Sequence, residues 1–178
     1  IELSDHILKI MEKYDWPQFI ECSSPKEKRE NLLAINDRLK NRVQIQQSIQ
    51  STDHNVLANI KRTNITRKEY IDYLKETEKR GRNAISEIII PLPGESEKTY
   101  FEGVKFLMEH NVQTVTFTLM ILPGSEIAFD QSVKKYALKT KYRVLPKQFG
   151  EYKTKKIFEI ESVCVATNTM SFQSYLNC

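Results

Sequence analysis

The spacing of apolar and polar positions divides this chain into short strands and amphipathic helices. The clearest strand lies in the run I-S-E-I-I-I-P-L-P-G-E-S at residues 85–96, where three isoleucines follow Glu87 and the run breaks at Pro91. A short apolar run bounded by Pro and Gly is typical of a strand buried on both faces. Residues 96–110 then have helical spacing of apolar side chains. Strand, loop and helix together form the repeating unit of parallel α/β folds.

The same pattern recurs further along the chain. Alternating apolar side chains at 115–121 lead into L-P-G-S-E at 122–126, which resembles the earlier L-P-G-E. Two parallel strands that end in such loops place both loops on one edge of a sheet. That edge is where parallel α/β folds bind their ligands.

The remaining pattern completes a predicted series of βα units. Thr66 and Glu69 match a capping box at the start of a helix, and Gly81 suits the position just after its end. Residues 134–156 form a basic, polar segment, and its K-T-K-Y-R run at 139–143 favours a solvated surface over a binding patch. The other predicted helices cover residues 2–14, 25–40, 55–62 and 170–176, and the other predicted strands cover 18–22, 43–49 and 157–165. Four successive βα units predict a parallel sheet, open or curved into a partial barrel.

Composition adds limits to this picture. The chain has 178 residues, 40% hydrophobic and 28% charged, which suits one globular domain. The net charge of +4 is mild, so it permits an anionic ligand and does not indicate nucleic acid. No apolar run approaches the roughly 20 residues that span a bilayer. We therefore expect a cytoplasmic protein with no membrane partner.

Polar side chains fall near the predicted strand ends. Glu21, Gln50 and Glu87 follow or open successive strands, and Arg62 closes the helix after Gln50. A carboxylate, an amide and a guanidinium suit a zwitterionic ligand that carries hydroxyl groups, because arginine binds carboxylates through two hydrogen bonds. Each residue also has a plain structural role open to it. Glu87 can lie in water at the other end of its strand, Arg62 can interact with a helix dipole, and Gln50 can cap the next helix.

The cysteine and glycine patterns exclude several kinds of site. Cys22, Cys164 and Cys178 are far apart and form no metal-binding knuckle. No phosphate-binding P-loop sequence is present. The three histidines are expected on helices or at their ends, as surface residues.

Four segments together resemble the radical S-adenosylmethionine (radical SAM) enzymes. They are Q-S-T-D with the following V-L, I and R at 50–62, E-I-I-I-P-L-P-G-E-S at 87–96, L-P-G-S-E at 122–126, and K-Y-R-V-L-P with F-G at 141–150. The last segment is most similar to the branch whose members carry a cobalamin-binding domain. The resemblance covers roughly residues 16–172 of the chain.

The resemblance implies a partial (β/α)6 TIM-like barrel with parallel strands, which here lacks the first two βα units. Residues 1–126 would form the barrel and residues 127–178 a C-terminal extension packed on it. In such enzymes the matching polar residues contact S-adenosylmethionine; here they are Gln50, Arg62, Glu87 and, more loosely, Glu21. Ile89 matches an apolar residue beside the adenine, and the backbone near Leu122 matches a further adenine contact.

The chain also departs from the family pattern. The C-x-x-x-C-x-x-C loop that holds a [4Fe–4S] cluster is absent, as is the glycine-rich motif of the second strand, and Pro91 replaces a usual glycine. The cluster needs cysteine thiolates that this chain does not supply. We therefore expect a fragment of a radical SAM enzyme that is inactive alone.

The expected partners follow from the same resemblance. They are the missing N-terminal part with its cluster, a small-molecule substrate, a reductant such as flavodoxin or ferredoxin, and cobalamin if methyl transfer is the reaction. Two other functions stay open: a non-catalytic binding module derived from the barrel, and an unrelated α/β domain that binds a phosphorylated small molecule at its L-P-G loops.

Overall fold

A computed structural model describes residues 2–22, 29–44, 46, 48–81 and 84–178 of the chain. The chain forms two compact units. Unit 1 comprises Ile1–Gln50, Asn64–Glu87 and Lys105–Val115, and unit 2 comprises Ser51–Thr63, Ile88–Val104 and Thr116–Cys178. The expected domain boundary after residue 126 stays a prediction.

Within the described ranges, helices and strands alternate only in the middle of the chain. The helices are α1 (Glu2–Tyr14), α2 (Arg29–Arg38), α3 (His54–Asn59), α4 (Arg67–Lys79), α5 (Glu97–Glu109), α6 (Asp130–Tyr136) and α7 (Phe172–Asn177). The strands are β1 (Ile85–Ile90), β2 (Gln113–Thr118), β3 (Lys139–Tyr152) and β4 (Lys155–Ala166). A short 3-10 turn at Glu126–Ala128 precedes α6.

One hydrophobic cluster of unit 1 forms where α1 and α2 pack together. Met11 and Leu39 are almost fully buried there, with Leu32 and Val43 beside them. The predicted helix over residues 2–14 is confirmed with those bounds. The predicted helix 25–40 is confirmed from Arg29 to Arg38, and its first residues lie outside the described part of the chain.

The capping signals around α4 are also confirmed. The Thr66 hydroxyl accepts the Glu69 backbone N–H, and the Glu69 carboxylate accepts the Thr66 backbone N–H, which satisfies two otherwise unpaired donors. At the other end, Gly81 has a φ of +68° and its N–H donates to the Glu78 carbonyl. Glycine adopts this left-handed conformation at little cost.

β1 and β2 form a two-stranded parallel sheet. The Gln113 N–H donates to the Ala84 carbonyl and the Leu119 N–H donates to the Ile90 carbonyl. The partners are separated by the same number of residues at both ends of the sheet, as parallel strands require. In β1 burial alternates: Ser86, Ile88 and Ile90 are buried, while the other three side chains are partly exposed. The expectation that this strand is buried on both faces is therefore wrong for one face.

The predicted partial (β/α)6 barrel is wrong. The strands of the described residues form two separate two-stranded sheets, β1 with β2 and β3 with β4, and these residues close no barrel. Among the described residues of the candidate strands 18–22 and 43–49, the pairing consists of two isolated parallel bridges, Ile20 to Val43 and Gln46 to Ile85. Residues 45 and 47 of the second candidate strand lie outside the described part of the chain. The chain is a mixed α/β protein.

The second sheet was foreseen only in part. The predicted strand 157–165 is confirmed within β4, whereas β3 lies in residues 134–156, which were expected to be a basic, polar segment. β3 and β4 pair antiparallel from Lys139–Ala166 to Tyr152–Lys155, with irregular register around residues 145–148. Lys153 and Thr154 connect them with positive φ values of 47° and 66°, as in a type I′ hairpin turn. A hairpin closes a very short loop, so its pairing costs little chain entropy.

Among the residues that the structure describes, no helix is long and apolar enough to cross a membrane.

Candidate functional site

Gln50 and Glu87 lie next to each other in unit 1. The Gln50 N–H donates to the Glu87 carbonyl over 2.9 Å. Gln50 has a φ of +61°, an uncommon conformation for a residue other than glycine. The Asn64 side-chain amide donates to the Ile49 carbonyl over 2.7 Å, which holds the preceding residue in place. The chain therefore bends at Gln50, beside the backbone of Glu87.

The carboxylate of Glu87 is held by a hydroxyl group. Ser48 Oγ donates to Glu87 Oε2 over 2.6 Å. An ionised carboxylate offers about four acceptor positions, so this contact leaves capacity for further donors. Glu87 and Ile89 also share the less buried face of β1, since side chains alternate along a strand. An acceptor and an apolar side chain thus lie two residues apart on one face.

Glu21 has a different environment. It is exposed and follows Ile20, whose backbone pairs with Arg42 and Gln44 at 2.8 Å each. Among the described residues no hydrogen bond joins its carboxylate to Gln50 or Glu87. Glu21 therefore lies next to an isolated bridge, and its role as a ligand contact stays a prediction.

Arg62 follows α3 in unit 2. Asp53 caps this helix, and its carboxylate accepts the Asn55 and Val56 N–H groups over 2.8 and 3.0 Å. The Arg62 N–H donates to the Leu57 carbonyl over 2.9 Å, which fixes its backbone to the end of the helix. The side chain is half-buried, and burial lowers the pKa of the guanidinium below its ordinary value. It still carries a positive charge at neutral pH.

The first L-P-G-E loop packs on α3. Pro91 and Pro93 are fully buried, and the Asn59 amide donates to the Pro93 carbonyl over 3.1 Å. Gly94 has a φ of +90°. The loop is therefore a packed part of unit 2 rather than a free surface turn.

Glu95 is the polar residue of this loop that sequence reasoning missed. It is 2% exposed, and its carboxylate accepts hydrogen bonds from Ser51 Oγ and Thr99 Oγ1. Burial is the main cause that raises the pKa of this carboxyl. The available signal was an acid directly after L-P-G and before a helix, where it can point inward.

The second L-P-G loop is more open than the first. Leu122 is 58% exposed, and its carbonyl accepts both the Ser125 N–H and the Ser125 hydroxyl. Gly124 has a φ of +80° and open space around it. The Leu122 carbonyl is thus occupied within its own turn, and its predicted contact with an adenine stays a prediction.

Neither the cysteines nor the histidines form a metal site in the described part of the chain. Cys22 is exposed, Cys164 is buried and donates to the Ala166 carbonyl, and Cys178 is partly buried. No group of three or more His, Cys, Asp or Glu residues among the described residues could hold a metal ion. These side chains therefore do not fit a [4Fe–4S] cluster.

A shallow cleft in unit 1 contains none of the predicted ligand contacts. Its lining includes Leu74, Lys75, Glu78, Glu109 and His110.

No protein-family model matches this chain, and no curated protein sequence matches it. The resemblance to radical SAM enzymes therefore stays a prediction.

Proposed function

We propose that this chain binds S-adenosylmethionine and belongs to a radical SAM enzyme. The observation that carries the proposal is the pairing of Gln50 with Glu87, together with the hydrogen bond from Ser48 to the Glu87 carboxylate. This pairing supports the proposal because it joins the backbones of two residues that the resemblance assigns to the ligand.

Each proposed contact has a chemical role. Glu87 accepts hydrogen bonds from the ligand ammonium or ribose hydroxyls, for which its carboxylate has spare acceptor capacity. Gln50 offers an amide that both donates and accepts. Ile89, on the same face of β1 as Glu87, offers an apolar surface for the adenine ring. Arg62 is proposed to bind the ligand carboxylate, a pairing that its planar guanidinium favours.

Bound S-adenosylmethionine supplies radical or methyl-transfer chemistry in this class of enzymes. The part proposed for this chain is to bind and orient that cofactor. Its described cysteines do not fit an iron–sulfur cluster, so we assign it no reductive step. No residue is assigned to cobalamin.

The test is calorimetric titration of the 178-residue chain with S-adenosylmethionine, in the wild type and in Glu87→Gln. The substitution removes the charge that attracts the ligand ammonium, and we expect the dissociation constant to rise about tenfold or more. Glu102→Gln is the matched control, because Glu102 is an exposed acid on α5 whose nearest cation, Lys98, is 3.9 Å away.

Three outcomes would contradict the proposal. The wild type could fail to bind, Glu87→Gln could bind as tightly as the wild type, or Glu102→Gln could weaken binding equally. Binding of a sugar phosphate in place of S-adenosylmethionine would favour a domain for phosphorylated ligands. Absence of binding to either ligand would favour an interaction module.

A further inference from the structure

Glu95 ties together three segments of unit 2. Its carboxylate accepts from Ser51 Oγ over 2.8 Å and from Thr99 Oγ1 in the first turn of α5. Its backbone carbonyl accepts from Thr169 Oγ1 over 2.7 Å, and its N–H donates to the Leu92 carbonyl over 2.9 Å. One buried residue therefore connects the segment before α3, the start of α5 and the segment before α7.

A carboxylate so deeply buried needs a reason. Among the described residues, its carboxylate is bonded by the hydroxyl groups of Ser51 and Thr99 and by the Ser96 backbone, and the charge of nearby Asp53 repels its own. Cys178 also interacts electrostatically with it. Burying an ionised group in such surroundings lowers the stability of the fold, and an apolar side chain of similar size would usually give a more stable one. The hydrogen bonds it makes therefore indicate a positioning role.

The Ser51 end of this network leads to α3, the helix that precedes Arg62 in unit 2. Ser51 follows Gln50, and its hydroxyl also accepts the Asp53 N–H over 3.2 Å. Asp53 caps α3, a helix of six residues, and the Arg62 N–H is bonded to the last turn. Such a short helix has little stability of its own. Its position depends on its attachments, which include the buried side chains of Val56 and Leu57 and the hydrogen bonds from Ser51 to Glu95 at its start and from Asn59 to Pro93 at its end.

We propose that Glu95 is a positioning residue that fixes α3 through Ser51 and so orients Arg62 toward the carboxylate of bound S-adenosylmethionine. The inference rests on the proposed function, since it assigns Arg62 the ligand carboxylate. Glu95 itself is not proposed to touch the ligand.

The test compares two ligands on several variants of the full chain. Glu95→Ala removes both acceptors, Ser51→Ala removes the shared hydrogen bond without cutting into the loop, and Glu95→Gln keeps one acceptor oxygen. The ligands are S-adenosylmethionine and decarboxylated S-adenosylmethionine, which lacks the group that Arg62 would bind. Glu102→Gln on the exposed side of α5 is again the control.

We expect Glu95→Ala and Ser51→Ala to weaken S-adenosylmethionine binding about tenfold, the cost of a lost buried hydrogen bond. The decarboxylated ligand should change less than about twofold, because Arg62 contributes nothing to it. Glu95→Gln should recover most of the affinity, and the double variant Glu95→Ala/Ser51→Ala should lose no more than Glu95→Ala alone. Unchanged affinity for S-adenosylmethionine, or an equal loss for both ligands, would overturn the inference.

Amide hydrogen exchange separates this inference from the proposed function. In Glu95→Ala the N–H groups of Asn55, Val56 and Arg62 should exchange faster than in the wild type, with the control unchanged. If the wild type binds neither ligand, the proposed function fails, and faster exchange at these three amides still supports the positioning of α3 by Glu95. Unchanged exchange would overturn it whatever the ligand result.

Discussion

The side chain of Asn59 occupies the space that any side chain on Gly94 would need. Its amide nitrogen lies 2.6 Å from the position of a Cβ atom built on Gly94, and the same nitrogen donates to the Pro93 carbonyl. Gly94 also has a φ of +90°, a backbone conformation that residues with a side chain rarely adopt. The first L-P-G loop and α3 therefore depend on a glycine for two independent reasons.

Gly94→Ala should destabilise the chain more than Gly124→Ala. Both positions have positive φ, so both substitutions carry a backbone cost of about 1–2 kcal/mol. Only Gly94 adds a steric clash, worth about 1–3 kcal/mol, because the space around Gly124 is open. Urea unfolding measures both. Equal losses at the two positions would contradict the packing of Asn59 on the loop, and Asn59→Ala in the Gly94→Ala background should recover part of the stability.

Arg62→Ala should weaken S-adenosylmethionine binding by about 1.5–3 kcal/mol, the range for a charge-assisted hydrogen bond. Lys61→Ala is the matched control. It removes the same charge from the neighbouring residue, whose side chain is 73% exposed and pairs with Glu126 at the surface. Such surface ion pairs contribute about 0–1 kcal/mol to stability. We expect no effect of Lys61→Ala on ligand affinity. Calorimetry that gives equal affinities for both variants would remove Arg62 from the site.

Glu95→Gln should change how stability depends on pH. Burial raises the pKa of the Glu95 carboxyl above its ordinary 4.5, so the folded chain holds this proton more tightly than the unfolded chain. The stabilising contribution of the protonated form is complete below about pH 4.5, and it is lost as pH rises through the folded pKa.

Glutamine at position 95 does not titrate. The free energy of unfolding of Glu95→Gln minus that of the wild type should therefore increase as pH rises from about 4.5. Chemical unfolding across this window measures it, and a constant or falling difference would refute the burial of this carboxyl.

The β3–β4 hairpin should carry an exposed apolar face that contributes little to stability. Its register places Phe149 opposite Phe158, with ring centroids 6.5 Å apart and side chains 73% and 60% exposed. Replacing both with serine should lower the free energy of unfolding by about 1 kcal/mol or less. It should also reduce fluorescence of a bound hydrophobic dye. Leu107→Ala, at a fully buried position, should cost about 2–5 kcal/mol by comparison. A large loss from the double serine variant would mean that this face is packed in solution.

Local signals predicted the helices well. The capping box at Thr66 and Glu69 and the glycine after α4 depend on neighbouring residues only, so the sequence contains all of the information. The parallel pairing of β1 and β2 followed from two apolar runs with loops of the same kind. The closeness of Gln50 to Glu87 followed from their positions beside segments expected to pair.

Long-range pairing was harder to predict. The segment 43–49 has glutamine at positions 44 and 46, and its described residues pair through single bridges at Val43 and Gln46. The first strand of the hairpin was missed, although the second was predicted, because β3 is almost entirely exposed and its sequence therefore shows no alternation of apolar and polar residues. Glu95 was missed because a single acid in a turn is usually exposed. Its burial depends on hydrogen bonds from the hydroxyl groups of Thr99, four residues later, and of Ser51, 44 residues earlier in the chain.

The most direct test of S-adenosylmethionine binding at the proposed residues is a two-dimensional amide NMR spectrum of the labelled chain during titration with this ligand. Saturable shifts should concentrate at Gln50, Arg62 and Glu87 and should be absent around the cleft that Lys75 and His110 line. The absence of any saturable shift, or shifts confined to that cleft, would contradict the proposed function.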